Sequence, residues 1–351
     1  MLTILGSTWG ALVRARASLY ERGWLPRQRL DRPVVSIGGL SVGGAGKTPT
    51  TALVATLLSE AGFRPAILSR GYRRSGTQPL LVSAGDGAGP LVDAARAGDE
   101  PFWLAQVLPQ VAVAVAARRE EAAQLAAACG RRDVFLLDDG FQHLRLARDA
   151  DLLVVNPEAP FWDDAPMPSG RLRESPEAAR RADAFLVIGA SAATDSALET
   201  RFGDHPRFTL VRQEAGCWGA TQSPPPAASA TSDLGALPTP PDEPAFAFAG
   251  IARPSRFFDE AAASDLDLRG HLAFPDHHAF SAADLEDIAG AARRAGAGIL
   301  VTTEKDAVRL PDTLPEMPIW VWGYRLAADD PEGFCAWLAT HARLVKRTDA
   351  A

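Results

Sequence analysis

Between residues 33 and 190, short apolar runs alternate with stretches of helical periodicity. The runs at 33–37 (Pro-Val-Val-Ser-Ile), 65–69, 79–83, 111–116, 133–137, 151–155 and 184–188 have the length and composition of buried strands. Segments 50–61, 99–107, 118–129 and 174–182 carry helical patterns between them. This alternation predicts a mostly parallel sheet with helices on both faces. Residues 213–244 break the rhythm with Ser223-Pro-Pro-Pro226 and Pro238-Thr-Pro-Pro241, and read as an exposed connection with little core. A second α/β set follows, with strands at 245–249, 268–273, 298–302 and 318–322 and helices at 254–264, 281–294, 304–309 and 331–343. The expected organisation is an N-terminal helix over 1–30, a larger α/β domain over 31–212, a Pro-rich linker over 213–244 and a smaller α/β domain over 245–351.

The length of 351 residues suits two domains better than one, and 47% hydrophobic content supports an ordinary core. A net charge of −7 argues against a nucleic-acid partner. Cys129, Cys217 and Cys335 are too scattered for a metal site or a disulfide framework, which favours a reducing compartment. Residues 1–13 carry no charged side chain, and Arg14, Arg16, Arg22, Arg27, Arg29 and Arg32 follow. Charge after the apolar run is the reverse of a secretory signal, and thirteen residues are too few to span a bilayer. Leu2, Leu5, Trp9, Leu12 and Val13 share one helical face. The expectation is a helix lying in a membrane interface with its arginines on anionic head groups; a helix docked on the protein's own core is the other reading.

Chemistry concentrates where strands end. Ser41-Val42-Gly43-Gly44-Ala45-Gly46-Lys47-Thr48 follows the first strand and precedes a helix, the order required of a phosphate-binding loop (P-loop). Gly43, Gly44, Ala45 and Gly46 would turn backbone N–H groups toward phosphates, Lys47 would reach the outer phosphates and Thr48 would hold Mg²⁺. The standard pattern opens with glycine, and Ser41 stands there instead. Lys47 is one of only three lysines among 36 basic residues, so the chain keeps lysine where a slim ammonium is needed. Asp138 and Asp139 end another apolar strand, where such enzymes place the acid that holds Mg²⁺. Asp99 opens a helix, as an N-cap or as a base at the nucleotide pocket. Arg70, Arg73 and Arg74 form a glycine-flanked basic loop suited to an anionic ligand or to a solvated surface. Glu174 reads as a first-turn helix carboxylate or a further metal contact. His277 and His278, being adjacent, suit acid/base or charge-coupling work better than chelation of one ion. Thr303 and Asp306 have capping-box spacing around Lys305.

Taken together, Ser-Val-Gly-Gly-Ala-Gly-Lys-Thr-Pro (41–49), Leu-Ser-Arg-Gly-Tyr (68–72), Gly-Asp-Glu-Pro (98–101), Leu-Asp-Asp-Gly-Phe-Gln-His (137–143), Gly-Arg-Leu-Arg-Glu (170–174), Phe-Ala-Gly-Ile-Ala-Arg-Pro (248–254), Phe-Pro-Asp-His-His (274–278) and Thr-Glu-Lys-Asp (303–306) resemble the tetraacyldisaccharide 4′-kinase family of lipid A biosynthesis. The resemblance implies two α/β/α domains joined by a small β linker, with the active site in the cleft between them. It implies a peripheral enzyme on the cytoplasmic face of the bacterial inner membrane that moves the γ-phosphate of ATP to the 4′-hydroxyl of a tetraacylated disaccharide 1-phosphate. It assigns Asp99 as the base and a histidine of the Asp-His-His segment as its partner, for which we choose His277 over His278. Lys47, Thr48, Asp138, Asp139 and Glu174 map to the nucleotide and Mg²⁺ site, and Arg70, Arg73 or Arg74 meets the sugar phosphate. Competing readings are a partition- or targeting-type membrane ATPase, a GTP-dependent switch and a nucleotide-gated lipid binder. The first would carry lysine at Val42, and the second an Asn-Lys-x-Asp segment that Thr303-Glu304-Lys305-Asp306 does not supply.

Overall fold

The computed structural model describes residues 2–189, 191–222, 224–225 and 239–346. Its strands are β1 (Val34–Gly38), β2 (Pro65–Ser69), β3 (Leu80–Ser83), β4 (Ala112–Val115), β5 (Val134–Asp138), β6 (Ala150–Val155), β7 (Ala184–Ile188), β8 (Arg207–Gly219), β9 (Ala245–Ala249), β10 (Leu268–Ala273), β11 (Ile299–Thr303) and β12 (Ile319–Ala328). Its helices are α1 (Leu2–Glu21), α2 (Lys47–Glu60), α3 (Ala94–Ala97), α4 (Asp99–Val107), α5 (Arg119–Ala128), α6 (Ala192–Phe202), α7 (Pro254–Ala263), α8 (Ala282–Arg294), α9 (Glu304–Ala307) and α10 (Pro331–His341).

The twelve strands form one sheet in the order β10-β9-β11-β12-β8-β7-β6-β1-β5-β2-β4-β3. Only the β12–β8 and β3–β4 pairs are antiparallel. β1, β5, β6 and β7 are buried along their whole length, as expected of strands with helices on both faces. The long β8–β12 pair joins the two halves of the chain. Residues 213–219, expected within the linker, are the second half of β8. That stretch (Gln-Glu-Ala-Gly-Cys-Trp-Gly) lacks a strong strand signature, and it becomes a strand by pairing with the aromatic, alternating run of β12. The linker residues 223 and 226–238 lie outside the described residues. The helix expected over 174–182 is a 3₁₀ segment at Pro176–Arg181, which leaves Glu174 before it.

Packing also crosses between the halves. One core cluster holds Val35, Leu57, Leu58 and Leu136 from the first half together with Leu326, Phe334 and Leu338 from the second. α2 contacts β1, β2 and β5 on one side and β12 and α10 on the other. The helix that follows the glycine loop is therefore wedged between the two halves. A separate core around Phe246, Phe248, Leu285, Ile288 and Leu300 belongs to the second half alone.

No helix among the described residues is long and apolar enough to cross a membrane. The apolar face expected over Leu2, Leu5 and Trp9 lies outside the described side chains. Farther along, Leu12 is 62% exposed and Trp24 72%, so apolar surface at this end of the chain remains uncovered.

Candidate active site

The loop from β1 to α2 is shaped by its glycines. Gly43, Gly44 and Gly46 have φ of 72°, 55° and 80°, a region that side chains resist. A Cβ on Gly46 would also meet Ile188 Cδ1 at 2.4 Å. The loop is strapped by the Gly170–Glu174 segment: Val42 N donates to Arg171 O (2.9 Å) and Arg173 N to Leu40 O (2.8 Å). From the second half, Ala252 approaches to 3.6 Å of where a Gly43 side chain would begin. Lys47 opens α2 and is buried with Thr48. Its Nζ donates to Ser41 O at 3.3 Å and lies 3.2 Å from Asp139 Oδ1.

The strap also delivers Arg173, whose Nη1 is 2.6 Å from Asp139 Oδ2. Burial acts to raise the Asp139 carboxyl, but the Lys47 and Arg173 charges outweigh it and hold the group below its ordinary value. Asp139 Oδ1 has the Lys47 ammonium beside it yet receives no well-aligned hydrogen bond. Asp138, one residue earlier, takes hydrogen bonds from Thr51 Oγ1 (3.0 Å) and Ser69 Oγ (3.3 Å). Burial, then the charges of Glu100 and Asp139, push it up to about 7. Glu100, whose charge acts on Asp138, follows Asp99 in the first turn of the helix α4.

Asp99 begins α4 after Gly98, whose φ is 90°. Gly98 and Gly71 (φ 67°) pack face to face: a Cβ on Gly98 would lie 3.1 Å from Tyr72 O and 3.3 Å from Gly71 Cα. Two glycines thus bring the Arg70–Arg74 loop against the start of α4. From the second half, His277 Nδ1 lies 3.2 Å from Asp99 Oδ2. His277 has φ 64° and its N–H is tied to Gly250 O at 3.0 Å, a strained backbone held by its surroundings. The Tyr72 ring stands edge-on to the imidazole at 5.9 Å, and Lys305 Nζ is 3.5 Å from its Nε2. Burial would raise Asp99, but the His277 hydrogen bond and the Arg309 charge hold it below its ordinary value. His278 turns elsewhere, to Asp284 at 3.3 Å and onto the Phe274 ring.

Other expected residues are placed differently. Both Glu174 oxygens accept hydrogen bonds from Arg181, at 2.9 Å each, which gives this carboxylate a cationic side-chain partner. Among the described residues, no group of three or more His, Cys, Asp or Glu could hold a metal ion. In the basic loop, Arg74 Nη2 is committed to Gln78 O, while Arg70 and Arg73 are exposed. Arg70 is also among the charges acting on the buried Arg119. Thr303 accepts from Asp306 N (3.2 Å), as its spacing implied.

The structure adds residues that local pattern did not single out. Thr51, Ser69 and Arg173 hold the carboxylate pair. Arg309 lies 3.4 Å from Asp99 Oδ2. Trp103 on α4 donates to Glu304 Oε1 (3.2 Å), and Arg325 Nη1 donates to both Glu304 oxygens (2.8 Å each), joining the two halves through a buried network. Beyond the glycine loop, a cleft of about 880 Å³ is lined by Arg171, Arg253 and Arg256 with Glu158, Asp164 and Glu260. A smaller recess shares Arg171 and Arg253 with it and is bounded by Ser41, Gly43 and Ala45.

A family model described as tetraacyldisaccharide-1-P 4′-kinase (LpxK) matches residues 1–343. The chain belongs to this family. Among its relatives, a tetraacyldisaccharide 4′-kinase of Anaeromyxobacter dehalogenans (strain 2CP-C) is 41% identical over 316 residues, covering 89% of this chain and 82% of the relative. One from Desulfotalea psychrophila is 35% identical over 324 residues, covering 90% and 89%. The fold matches a crystal structure of an apo form of LpxK from Aquifex aeolicus in complex with ATP, with a TM-score of 0.75, 27% identity and coverage of 97% of this chain and 98% of that one. The chain is accordingly an ATP-dependent kinase of lipid A biosynthesis, and the partition ATPase and GTP-switch readings fall away.

Proposed function

We propose that the chain transfers the γ-phosphoryl group of ATP to the 4′-hydroxyl of a tetraacylated disaccharide 1-phosphate at the cytoplasmic face of the inner membrane, with Asp99 as the base and Mg²⁺ as the cation. The carrying observation is the Asp99–His277 contact, which joins an acid at the start of α4 to a histidine from the other half of the chain. The cleft between the halves would then be a boundary between two working units, meeting along β8 and β12.

The glycine loop acts as the phosphate-binding loop, with Lys47 leaving Asp139 for the outer phosphates. The adjoining cleft offers room for the nucleoside. The residues fit a divalent cation: Asp138 and Asp139 adjoin each other, Asp139 Oδ1 is buried beside a cation without an aligned donor, and Thr48 lies in the first turn of α2. Thr48, Asp138 and Asp139 would hold it, with phosphate oxygens completing the shell. Mg²⁺ supplies charge neutralisation of the phosphates. Glu174 keeps its part by anchoring the strap through Arg181.

The His277 hydrogen bond and the Arg309 charge hold Asp99 below its ordinary value, which makes it a weaker base than a free carboxylate. Its work is to orient the sugar hydroxyl and accept its proton late, as the bond to phosphorus forms. Arg70 and Arg73, both exposed, would meet the substrate's 1-phosphate, whereas Arg74 serves its own loop. The exposed apolar residues Leu12 and Trp24, with the arginines around them, suit an anionic lipid surface. The test incubates the protein with γ-labelled ATP, Mg²⁺ and the acylated disaccharide 1-phosphate in detergent. Label moving into the lipid, and lost in Asp99→Ala with ATP affinity kept, supports the reading. ATP hydrolysis without a labelled lipid rejects it, and loss of ATP affinity in that variant makes Asp99 a nucleotide ligand instead.

A further inference from the structure

Arg309 follows α9, and its side chain is only 7% exposed. Its Nε donates to Lys305 O (3.0 Å), Nη1 to Gly250 O and His278 O (3.2 Å each), and Nη2 to Asp306 Oδ1 (3.1 Å). Asp306 is itself fully buried, and it accepts from Gly250 N (3.0 Å) and Thr303 Oγ1 (2.6 Å). One guanidinium therefore ties together the loops that leave β9, β10 and β11. The same Nε lies 3.4 Å from Asp99 Oδ2, the oxygen that also faces His277 Nδ1. Because its single hydrogen is directed at the Lys305 carbonyl, Arg309 offers Asp99 charge rather than a second hydrogen bond.

We propose that Arg309 is a positioning residue for phosphoryl transfer, which sets a fixed positive charge against the Asp99 carboxylate while fixing the loop that carries His277. The inference rests on the reading of Asp99 as the base. His277 and Lys305 of the second half face Asp99 alongside Arg309, and Asp276 lies beside both. Glu100 adjoins it on α4, Tyr72 covers the imidazole, and Asp306 partly offsets the guanidinium. Of these three groups only Arg309 has its hydrogen bonds spent on the scaffold, so its distance to Asp99 is set by the packing of the second half and not by a mobile side chain. The lysine, 31% exposed, remains free to adjust.

The test is a double-mutant cycle on kcat with Arg309→Gln and Asp99→Ala, and ATP affinity read separately by calorimetry. Arg309→Gln should lower kcat by about tenfold or more with ATP affinity within about twofold, because it acts on orientation of the base and not on the phosphate loop. In the Asp99→Ala background the same change should cost less than about twofold, since its target is gone. Arg309→Lys, which keeps the charge, should recover a large part of the loss. An equal cost in both backgrounds, or a lysine variant no better than glutamine, overturns the proposal. Should the glutamine variant fail to melt cooperatively, the lysine variant alone carries the test: a kcat within a few-fold of wild type supports the proposal, and a loss of about tenfold or more in a lysine variant that melts normally rejects it. A near-normal kcat in Asp99→Ala alone would instead overturn the base assignment and leave Arg309 out of the question.

Discussion

Lys47 has two partners in this structure, the Ser41 carbonyl and the Asp139 carboxylate. Replacing it with alanine removes the cation that holds the Ser41 carbonyl and, on the proposed reading, the one that meets the phosphates. Lys47→Ala should therefore lower kcat by about 100-fold or more in the labelled-ATP assay, the usual scale for losing one preorganised charge at a phosphoryl group. A variant within a few-fold of wild type would remove Lys47 from the chemistry. His143, in the same motif as the two aspartates, carries a different message. Burial first, and then the charge of Arg119, push its imidazole down from 6.5 to about 4. A depressed histidine favours the folded state fully above the unfolded value of 6.5, and that contribution fades as pH falls toward 4. The loss should amount to about 1–3 kcal/mol, discounted for partial exposure. Urea unfolding at pH 7 and pH 4.5 should show a smaller drop for His143→Gln than for wild type. An equal drop would show that the imidazole is not the group titrating.

At the scale of elements, the meeting of the Arg70–Arg74 loop with α4 depends on two bare backbones. Gly98 has φ 90° and no room for a Cβ beside Tyr72 O, at 3.1 Å. Gly98→Ala should cost about 1–3 kcal/mol and lower kcat more than ATP affinity, because it moves the first residue of α4. Gly76 is the control: its φ is 85°, yet a Cβ there meets nothing within 4 Å. Gly76→Ala should show the backbone cost without the kinetic one, and equal kcat losses would mean that the close approach is not what positions Asp99. The helix expected over 281–294 was legible almost to the residue, as α8 begins at Ala282 behind the Ser281 cap, whereas α2 begins at Lys47, three residues before the expected 50. The end of β8 was illegible, since residues 213–219 become a strand only through β12. The 3₁₀ turn at 176–181 was likewise read as an ordinary helix, since Pro176 suits the start of either.

For the molecule as a whole, the shared core is the main mechanical fact. Phe334 on α10 is fully buried in the cluster that also holds Leu57 and Leu58 of α2. Phe334→Ala should destabilise by about 3–5 kcal/mol, the usual range for emptying a core aromatic. With one core joining the halves, the loss should appear as a single transition moved to lower temperature in calorimetry. Two separated transitions, only one of them shifted, would show that the halves unfold independently. The Trp103–Glu304–Arg325 network tightens the same joint from the side of α4.

The amino-acid sequence by itself determined the strand-ending chemistry: the glycine loop with Lys47, the Asp138-Asp139 pair, Asp99 at a helix start and a histidine pair after β10. Each depends on residue type and short spacing, which local physics reads directly. Tertiary structure decided which of these meet. It put His277 rather than His278 on Asp99, turned Glu174 to Arg181, and brought Arg173 to Asp139 and Arg309 to Asp99. The Asp99–His277, Asp139–Arg173 and Asp99–Arg309 partners are separated in sequence by tens to hundreds of residues, while Glu174 and Arg181 are neighbours on a strap whose path long-range pairing fixes. A charge finds its partner through the packing of whole elements, and no short window of residues contains that information.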